Sequence, residues 1–212
     1  MRAHPDPVGI AILAKAPIPG LAKTRLIPAL GAAGAAALQA RLIVRTVATA
    51  CAAATGPVSL WATPDATHPV FRDMTARFRL SVARQPDGDL GTRMLAAIAA
   101  AAPTLVIGTD CPVLTAGHLV DAATALRDGV DAVVIPAEDG GYVLIGLRRP
   151  EPAVFSDMTW STNTVMAETR ARLTRLGLGW RELAPLWDVD RPEDLARMAA
   201  VERTHDDSAR SG

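Results

Sequence analysis

The sequence predicts an α/β fold with a mainly parallel central sheet. Short apolar segments alternate along the chain with helical segments, a rhythm typical of crossover connections between parallel strands. Several apolar segments are continuous rather than alternating, as expected for strands buried on both faces. Half of the 212 residues are hydrophobic, so the chain can bury a substantial core.

The first half of the chain holds four of the predicted strands. Residues 8–14, VGIAILA, form the first, which ends in a loop broken by two prolines and a glycine. Residues 31–55 are rich in alanine and are predicted to be helical until Gly56 and Pro57 end the helix. The other predicted elements here are strands at 58–61, 80–84 and 104–108 and helices at 68–78 and 91–102.

The second half departs from this strict alternation. Thr115 is predicted to cap a helix that ends near Arg127, because its hydroxyl can accept a hydrogen bond from a free amide. Strands at 131–137 and 143–147 are separated only by a short polar turn, which predicts that the sheet becomes mixed here. The last predicted elements are a helix at 162–176, a strand at 180–183 and a helix at 192–202, with Pro192 at its first position.

Composition and charge exclude several classes of protein. The 22 basic and 22 acidic residues balance, whereas a general polyanion binder needs a basic surplus. Aromatic residues make up 4% of the chain, too few for a stacking platform for single-stranded nucleic acid. Residues 46–64 are the longest uncharged stretch, but Gly56, Pro57 and several hydroxyls make them a poor membrane span. We therefore expect a soluble globular protein that binds neither nucleic acid nor membranes.

The chain is expected to form one domain over residues 1–203, followed by a short polar tail, 204–212, that frays. Cys51 and Cys111 do not form a CxxC pair, and two cysteines cannot make a multi-bridge scaffold. A reducing, cytoplasmic compartment is the simplest interpretation. The sequence permits either a monomer or a homodimer.

Each unusual polar cluster of the sequence falls just after a predicted strand. Ligands of open α/β sheets bind outside the carboxyl ends of the strands. The sequence therefore predicts one site built from several loops. These clusters are residues 15–25, 85–93, 109–112, 138–142 and 188–194.

The first cluster, KAPIPGLAKTRL, predicts a polyphosphate site. Lys15, Lys23 and Arg25 supply three cations, and Gly20 lets the backbone approach a ligand closely. The alternative is that these cations belong to an ordinary loop and are solvated. The segment is not a Walker motif. Further along, Gln85 and Gly91 are candidates to flank a nucleobase or a ribose.

Carboxylates after two later strands predict a site for Mg²⁺ or Mn²⁺. Asp110 ends the most apolar strand, where a lone carboxylate has no evident role in the core. Asp190 is the second candidate ligand, and Asp188 is a weaker one. Simpler roles stay open: Asp110 could start a turn with Pro112, and Asp190 could cap the last helix with Glu193 as its capping-box partner.

The turn Glu138-Asp139-Gly140-Gly141-Tyr142 is a candidate acceptor site. Asp139 could bind hydroxyl groups, while Gly140 and Gly141 could admit a ligand, although two glycines beside an aspartate also suit a plain hairpin. Trp160 is expected on the same side of the site. The sequence contains neither GxSxG nor HExxH, so it gives little support for a hydrolase.

The motifs taken together resemble a bacterial family with the GT-A, or nucleotide-diphospho-sugar transferase, fold. The motifs are AKAPIPGLAKTRL, QPDGDLGTRM, GTDCP, PAEDGGYVLIGL, MTWST and DVDRPEDL, in the expected order over about residues 8–200. Members of this family are glycosyltransferases associated with radical-SAM and selenodomain proteins or with arsenosugar biosynthesis. A more distant resemblance extends to nucleotidyltransferases, including the guanylyltransferases that act on phospholactate and those of molybdenum-cofactor maturation.

The resemblance implies a three-layer fold and a metal-dependent transferase that uses a nucleotide-activated donor and a small acceptor. Lys15, Lys23 and Arg25 would hold the donor phosphates, and Asp110 with Asp190 would hold the metal. Lys23, Arg25 and Asp110 are thus the candidate catalytic residues. The family label favours glycosyl transfer from a nucleotide sugar.

Two other functions stay open. Nucleotidyl transfer from a nucleoside triphosphate is the main alternative, and a non-catalytic nucleotide-binding protein is a further one. The chain lacks the Gly-Gly-x-Gly-Thr-Arg loop common in nucleotidyltransferases, and it has Asp110-Cys111-Pro112 where a DxD would be expected after the central strand. The sequence therefore leaves open which phosphorus or carbon centre is attacked.

Overall fold

A seven-stranded mixed sheet forms the middle layer of the structure, a computed structural model that describes residues 6–210, with side chains described for 6–201 and 203. The strands are β1 (Gly9–Lys15), β2 (Val58–Thr63), β3 (Leu80–Arg84), β4 (Thr104–Ile107), β5 (Ala132–Pro136), β6 (Tyr142–Leu147) and β7 (Trp180–Glu182). The helices are α1 (Ile27–Ala53), α2 (Pro69–Arg77), α3 (Leu90–Ala101), α4 (Ala116–Arg127), α5 (Val165–Arg175) and α6 (Asp194–Arg210).

The strand order places the carboxyl ends of six strands at one edge of the sheet. The order is β3-β2-β1-β4-β6-β5-β7, and β6 alone runs antiparallel to its neighbours β4 and β5. The first four strands are parallel, and β7 is parallel to β5. The predicted α/β class is confirmed, as is the change to a mixed sheet in the second half.

Helices cover both faces of the sheet. On β1, Ile10 and Ile12 point to the face that packs against α1, α2 and α4. Ala11 and Leu13 point to the opposite face, where α3 and α5 pack. Because successive strand residues face opposite sides, one strand supplies both cores, which explains its continuous apolar sequence. α6 packs against α1 and the segment that contains Trp187 and Val189.

Three helix starts differ from the sequence prediction by two residues or more, among them that of α5, which begins at Val165 rather than at residue 162, while one cap agrees with it. α1 begins at Ile27 rather than at residue 31, and its kink lies at Gly31, whose φ is 69°. α6 begins at Asp194, not at Pro192, because the Asp194 carboxylate accepts hydrogen bonds from the backbone N–H groups of Asp190 and Arg191. Thr115 caps α4 as predicted, with its hydroxyl accepting from the N–H of His118.

The apolar helix α1 is a core element of this fold. The segment Thr24–Ala53 is long and apolar enough to cross a membrane by length and composition, a test that core helices also pass. Its Leu42, Ile43 and Val47 are almost completely buried against the sheet and neighbouring helices. Because 33% of its most apolar 18-residue window is buried, this packing accounts for part of its hydropathy.

Candidate active site

Two adjoining cavities lie at the edge where the strands end. The first has a volume of about 460 Å³, and we call it the basic cavity, after its four cations. The second has a volume of about 670 Å³, and we call it the acidic cavity, because six carboxylates line it against three arginines. Arg25, Asp110, Ser161 and Asp190 line both, so the two cavities form one continuous site.

Lys23 is held inside the site rather than in solvent. Only 5% of its side chain is exposed, and its Nζ lies 2.6 Å from Asp110 Oδ1. The same ammonium donates a hydrogen bond to the Val189 carbonyl. Its φ of 47° places a non-glycine residue in the left-handed region, a conformation that surrounding contacts must stabilise. A solvated loop lysine is neither buried nor held by an ion pair.

A second ion pair joins the same loops. Arg25 contacts the Asp190 carboxylate, and both side chains are more exposed than that of Lys23. The Val189 N–H also donates to the Asp110 carbonyl at 2.8 Å. The loops after β1, β4 and β7 are therefore tied together by two ion pairs and a backbone hydrogen bond. The sequence alone had placed these loops only at a common edge.

Gln39 is a site residue that the sequence reasoning missed. It is buried on α1, and its Nε2 donates to the Lys15 carbonyl and to Thr109 Oγ1, at 3.2 and 3.1 Å. These hydrogen bonds hold the end of β1 against the end of β4. The available signal was a lone polar side chain within the apolar run of residues 31–40.

The acidic cavity gathers the predicted metal ligands. Burial, together with the negative charges of Asp139, Asp110 and Asp190, raises the pKa of Asp188 to about 6. A divalent cation would relieve this repulsion, and Mg²⁺ or Mn²⁺ commonly takes one or two carboxylates together with phosphate oxygens. Within the described part of the chain, no three Asp, Glu, His or Cys side chains already form a metal-binding group. Asp110 and Asp190 would be the residues to hold such a metal, and each is paired with a cation of the loop after β1, Asp110 with Lys23 and Asp190 with Arg25.

The glycines of the acidic turn have different surroundings. A Cβ on Gly140 would lie 2.2 Å from the Asn163 carbonyl oxygen, so this glycine allows the turn to pack on the segment before α5. Its φ is 92°, which also favours glycine. Gly141 lines the acidic cavity, and its N–H donates to Asp139 Oδ1 at 2.9 Å. The close approach at Gly140 is thus to protein, while Asp139 and Gly141 remain at the cavity.

Trp160 links the acidic cavity to the start of α3. Its indole N–H donates to Asp89 Oδ2 at 3.0 Å, and its ring lines the cavity. A Cβ on Gly91 would lie 2.8 Å from this ring, so Gly91 is buried beneath Trp160 and lines neither cavity. This packing is the physical reason why Gly91 is not placed to flank a nucleotide. Ser161 follows with a φ of 63° and lines both cavities.

Two further predicted residues sit at the margin of the site. Gly20 has a φ of 83°, is exposed and lines neither cavity, so it shapes the basic loop and does not form a wall of the site. Tyr142 lines the acidic cavity, but its hydroxyl lies 3.7 Å from Met94 Sδ in the core. Burial raises the pKa of this phenol. Tyr142 therefore offers a ring, not a proton, to an acceptor.

The surroundings of Cys111 disfavour a role as a nucleophile. It is buried, and desolvation raises the pKa of its thiol to about 11, so the reactive thiolate is disfavoured. Neither Cys111 nor Cys51 forms a disulfide.

Comparison with known proteins assigns the chain to a family. The profile described as "Uncharacterized protein conserved in bacteria (DUF2064)" matches residues 46–162, more than half of the sequence. The chain belongs to the DUF2064 family. No curated protein sequence gives a significant match.

Solved structures confirm the fold of this DUF2064 protein. A protein from Desulfovibrio desulfuricans G20, provisionally described as a nucleotide-diphospho-sugar transferase, has 29% sequence identity and a TM-score of 0.78, over 87% of this chain and 82% of its own. The 4-diphosphocytidyl-2C-methyl-D-erythritol synthase of Anaerococcus prevotii has 11% identity and a TM-score of 0.63, over 96% and 100%. Rv0371C of Mycobacterium tuberculosis, solved with manganese, has 17% identity and a TM-score of 0.51, over 90% and 97%.

The DUF2064 match and the Desulfovibrio structure support membership of the nucleotide-diphospho-sugar transferase superfamily, with the GT-A-type fold that the sequence motifs implied. The expected three layers and mixed sheet agree with this assignment. At 11% and 17% identity, the second and third structures bear on the fold alone.

Proposed function

We propose that this DUF2064 protein is a metal-dependent transferase that uses a nucleotide-activated donor, and that the group it moves is a sugar. The observation that carries the proposal is the contact between Lys23 and Asp110 at the junction of the two cavities. A buried cation and a half-exposed carboxylate at one point suit a diphosphate bridged by a divalent cation. The Desulfovibrio protein of the same fold is itself described as a nucleotide-diphospho-sugar transferase, provisionally.

The basic cavity is the proposed donor site. Lys15, Lys23 and Arg25 line it, and each can donate hydrogen bonds to phosphate oxygens. Asp110 and Asp190 currently hold two of these cations. A bound diphosphate would pair with Lys23 and Arg25 in place of Asp110 and Asp190. Both carboxylates could then bind a metal. Donor and metal binding should therefore favour each other.

Mg²⁺ or Mn²⁺ held by Asp110 and Asp190 would stabilise the negative charge that develops on the leaving diphosphate. Lys23 and Arg25 would stabilise the same charge by donating hydrogen bonds to the phosphate oxygens. Divalent-metal use also agrees with the manganese complex of the structurally similar Rv0371C.

The acidic cavity is the proposed place for the sugar and its acceptor. Carboxylates such as Asp139 can accept hydrogen bonds from hydroxyl groups, while the rings of Trp160 and Tyr142 offer apolar faces. In the proposed reaction, an acceptor oxygen forms a bond to the anomeric carbon as the bond to the phosphate oxygen breaks. The nucleoside diphosphate leaves, and the acceptor proton passes to a carboxylate of the cavity or to water.

Nucleotidyl transfer is the second candidate, and one observation favours it. Four cations line the basic cavity, which would suit a triphosphate as well as a diphosphate. In this reaction the acceptor oxygen would attack the α-phosphorus and pyrophosphate would leave. A non-catalytic nucleotide-binding protein is the further candidate, but such a protein has no need of the carboxylates at the junction.

A donor panel tests these candidates directly. The protein would be titrated with nucleotide sugars and nucleoside triphosphates in the presence of Mg²⁺ or Mn²⁺, and bound donors would then be incubated with candidate acceptors. Release of a nucleoside diphosphate supports glycosyl transfer, and release of pyrophosphate supports nucleotidyl transfer. Binding without either product leaves the non-catalytic candidate, and no binding by any donor contradicts the proposal.

Several narrower assignments complete the proposal. We propose that the chain belongs to the branch associated with radical-SAM and selenodomain proteins or with arsenosugar biosynthesis. We also propose a reducing, cytoplasmic location, which agrees with the free Cys51 and Cys111. The acceptor is proposed to be a small molecule, because the acidic cavity has a volume of only about 670 Å³. The single domain over residues 1–203 and a monomeric or homodimeric state remain proposals.

A further inference from the structure

Arg93 is a cation of the basic cavity to which neither the sequence motifs nor the resemblance assigned a role. It lies in the first turn of α3 and lines the cavity together with Lys15 and Gln85. Its Nε is buried and has no hydrogen-bond partner. Buried polar groups are nearly always paired, so an unpaired guanidinium nitrogen at a cavity wall calls for an explanation.

Gln85 explains how Arg93 is positioned. The Gln85 side chain is buried, and its Nε2 donates to the Trp61 carbonyl at 2.7 Å and to the Ala14 carbonyl at 3.4 Å. Both donors of this amide are therefore used by the ends of β1 and β2. Its Oε1 faces the other way and accepts from Arg93 NH1 at 3.4 Å. Gln85, expected to flank a nucleotide, is in this arrangement a positioning residue for Arg93.

More cations than carboxylates line the basic cavity. Four cations line it, and its two carboxylates are already paired, Asp110 with Lys23 and Asp190 with Arg25. Among the residues that the structure describes, no carboxylate forms an ion pair with Lys15 or Arg93. A neutral hydrogen-bond acceptor would leave this excess charge in place, whereas an anion would offset it.

We propose that Arg93 is a phosphate-binding residue of the donor site, held in place by Gln85. The ligand class is a diphosphate, whose oxygens would accept hydrogen bonds from the guanidinium. The inference rests on the proposed nucleotide site and adds a residue on α3 to the loop cations of that site. It also gives the donor two anchoring regions, one near Lys23 and Asp110 and one at the ends of β1 and β2.

Inorganic pyrophosphate is the probe of choice, because it carries the proposed chemistry without a base or a sugar. Its affinity for the protein, with Mg²⁺, would be measured by calorimetry for the wild type, Arg93→Gln and Arg93→Lys. The matched control is Arg84→Gln, since Arg84 precedes Gln85, is 71% exposed and does not line the cavity. We expect Arg93→Gln to weaken binding about 10- to 100-fold, Arg93→Lys to retain part of the affinity, and Arg84→Gln to stay within about twofold.

Thermal unfolding separates binding from a structural role. Because Arg93 would lose one long hydrogen bond to Gln85 and no ion pair, Arg93→Gln should unfold within a few degrees of the wild type. It should also lose the stabilisation that pyrophosphate gives the wild type. A lower melting temperature with unchanged pyrophosphate affinity would assign Arg93 to the packing of α3 and overturn the proposal.

The outcomes distinguish this inference from the proposed function. If wild type binds both pyrophosphate and a nucleotide donor and Arg93→Gln binds them equally well, the inference fails while the proposed function stands. If Arg93→Gln weakens pyrophosphate binding but no nucleotide binds the wild type, the anion site stands and the proposed function fails. Weaker binding of unphosphorylated nucleosides by Arg93→Gln would mean that the residue contacts the base or ribose, and would also overturn the proposal.

Discussion

The two halves of the sheet carry cavities of opposite character. On the side of β1, β2 and β3, the parallel strands end in the basic cavity, with Lys15, Lys23, Arg25 and Arg93. On the side of β6, β5 and β7, the sheet is mixed and ends in the acidic cavity. The loop after β4, which carries Asp110, lies at the boundary. Because the charges differ so clearly, we infer that the parallel half binds the anionic donor and the mixed half binds the hydroxyl-bearing partner.

Removal of the boundary carboxylate should have the largest effect. Asp110→Asn keeps the size of the side chain but removes the charge that pairs with Lys23 and would bind the metal. We expect transferase turnover to fall by at least about 100-fold, because metal and donor would no longer be held together. Steady-state kinetics with saturating donor and Mg²⁺ would measure this loss.

Asp87→Asn is the control for that variant, since the Asp87 side chain is fully exposed and lines neither cavity. It should retain wild-type turnover. Full activity of Asp110→Asn would remove Asp110 from the site.

The basic cavity should respond next, through donor affinity. Lys23→Met removes a nearly buried ammonium and should raise the dissociation constant of the donor about 10- to 100-fold, since a charge-assisted hydrogen bond contributes about 1.5–3 kcal/mol. Lys15→Met, at an exposed position, should have a smaller effect. Calorimetric titration would measure both constants. An equal effect of the two variants would show that burial does not distinguish these lysines.

The acidic cavity should respond through the acceptor alone. Asp139→Asn preserves an oxygen that can accept from the Gly141 N–H, so the turn should remain intact. Loss of the charge should raise the acceptor KM about tenfold while donor affinity stays unchanged. Initial rates at varied acceptor concentration would measure KM, and calorimetry would measure donor binding. A change confined to donor binding would reverse the assignment of the two cavities.

The smallest expected effect concerns stability. The pKa of Asp188 is raised to about 6 in the folded protein, above its unfolded value, so Asp188 destabilises the fold at pH values above that unfolded pKa, fully so once the pH exceeds 6. Asp188→Asn should therefore stabilise the protein by about 1 kcal/mol at pH 8, after allowance for solvent screening. This gain should disappear near pH 4. Thermal melts at the two pH values would measure it, and an equal gain at both would contradict an electrostatic origin.

The sequence predicted the location of the site better than its contacts. Lys15 and Asp110 each follow a strand, and parallel strands end at one edge, so their common location followed from the order of the elements. The ion pairs of Lys23 and Arg25 depend on how the loop after β7 folds back, which no local pattern encodes. The same reason explains why Gln39 was missed, since its partners lie 24 and 70 residues away.

The sequence left open what the glycines of the predicted site contact, and the reason is physical. A sequence shows that Gly91 or Gly140 permits a close approach, but it does not show what approaches. In the structure, a side chain at Gly91 would meet the Trp160 ring, and one at Gly140 would meet the Asn163 backbone. The predicted start of α6 at Pro192 was wrong for a related reason. The Asp194 carboxylate accepts hydrogen bonds from the backbone N–H groups of Asp190 and Arg191, and the helix begins at Asp194.

Titration with Mn²⁺ in the presence and absence of a nucleoside diphosphate tests the central claim most directly. If Lys23 and Asp110 hold opposite sides of one metal-bridged diphosphate, each ligand should increase the affinity for the other by the same factor, and Asp110→Asn should abolish this coupling. Electron paramagnetic resonance of free Mn²⁺ would report the affinities. Binding of the two ligands with no mutual effect, or coupling that survives in Asp110→Asn, would contradict the account.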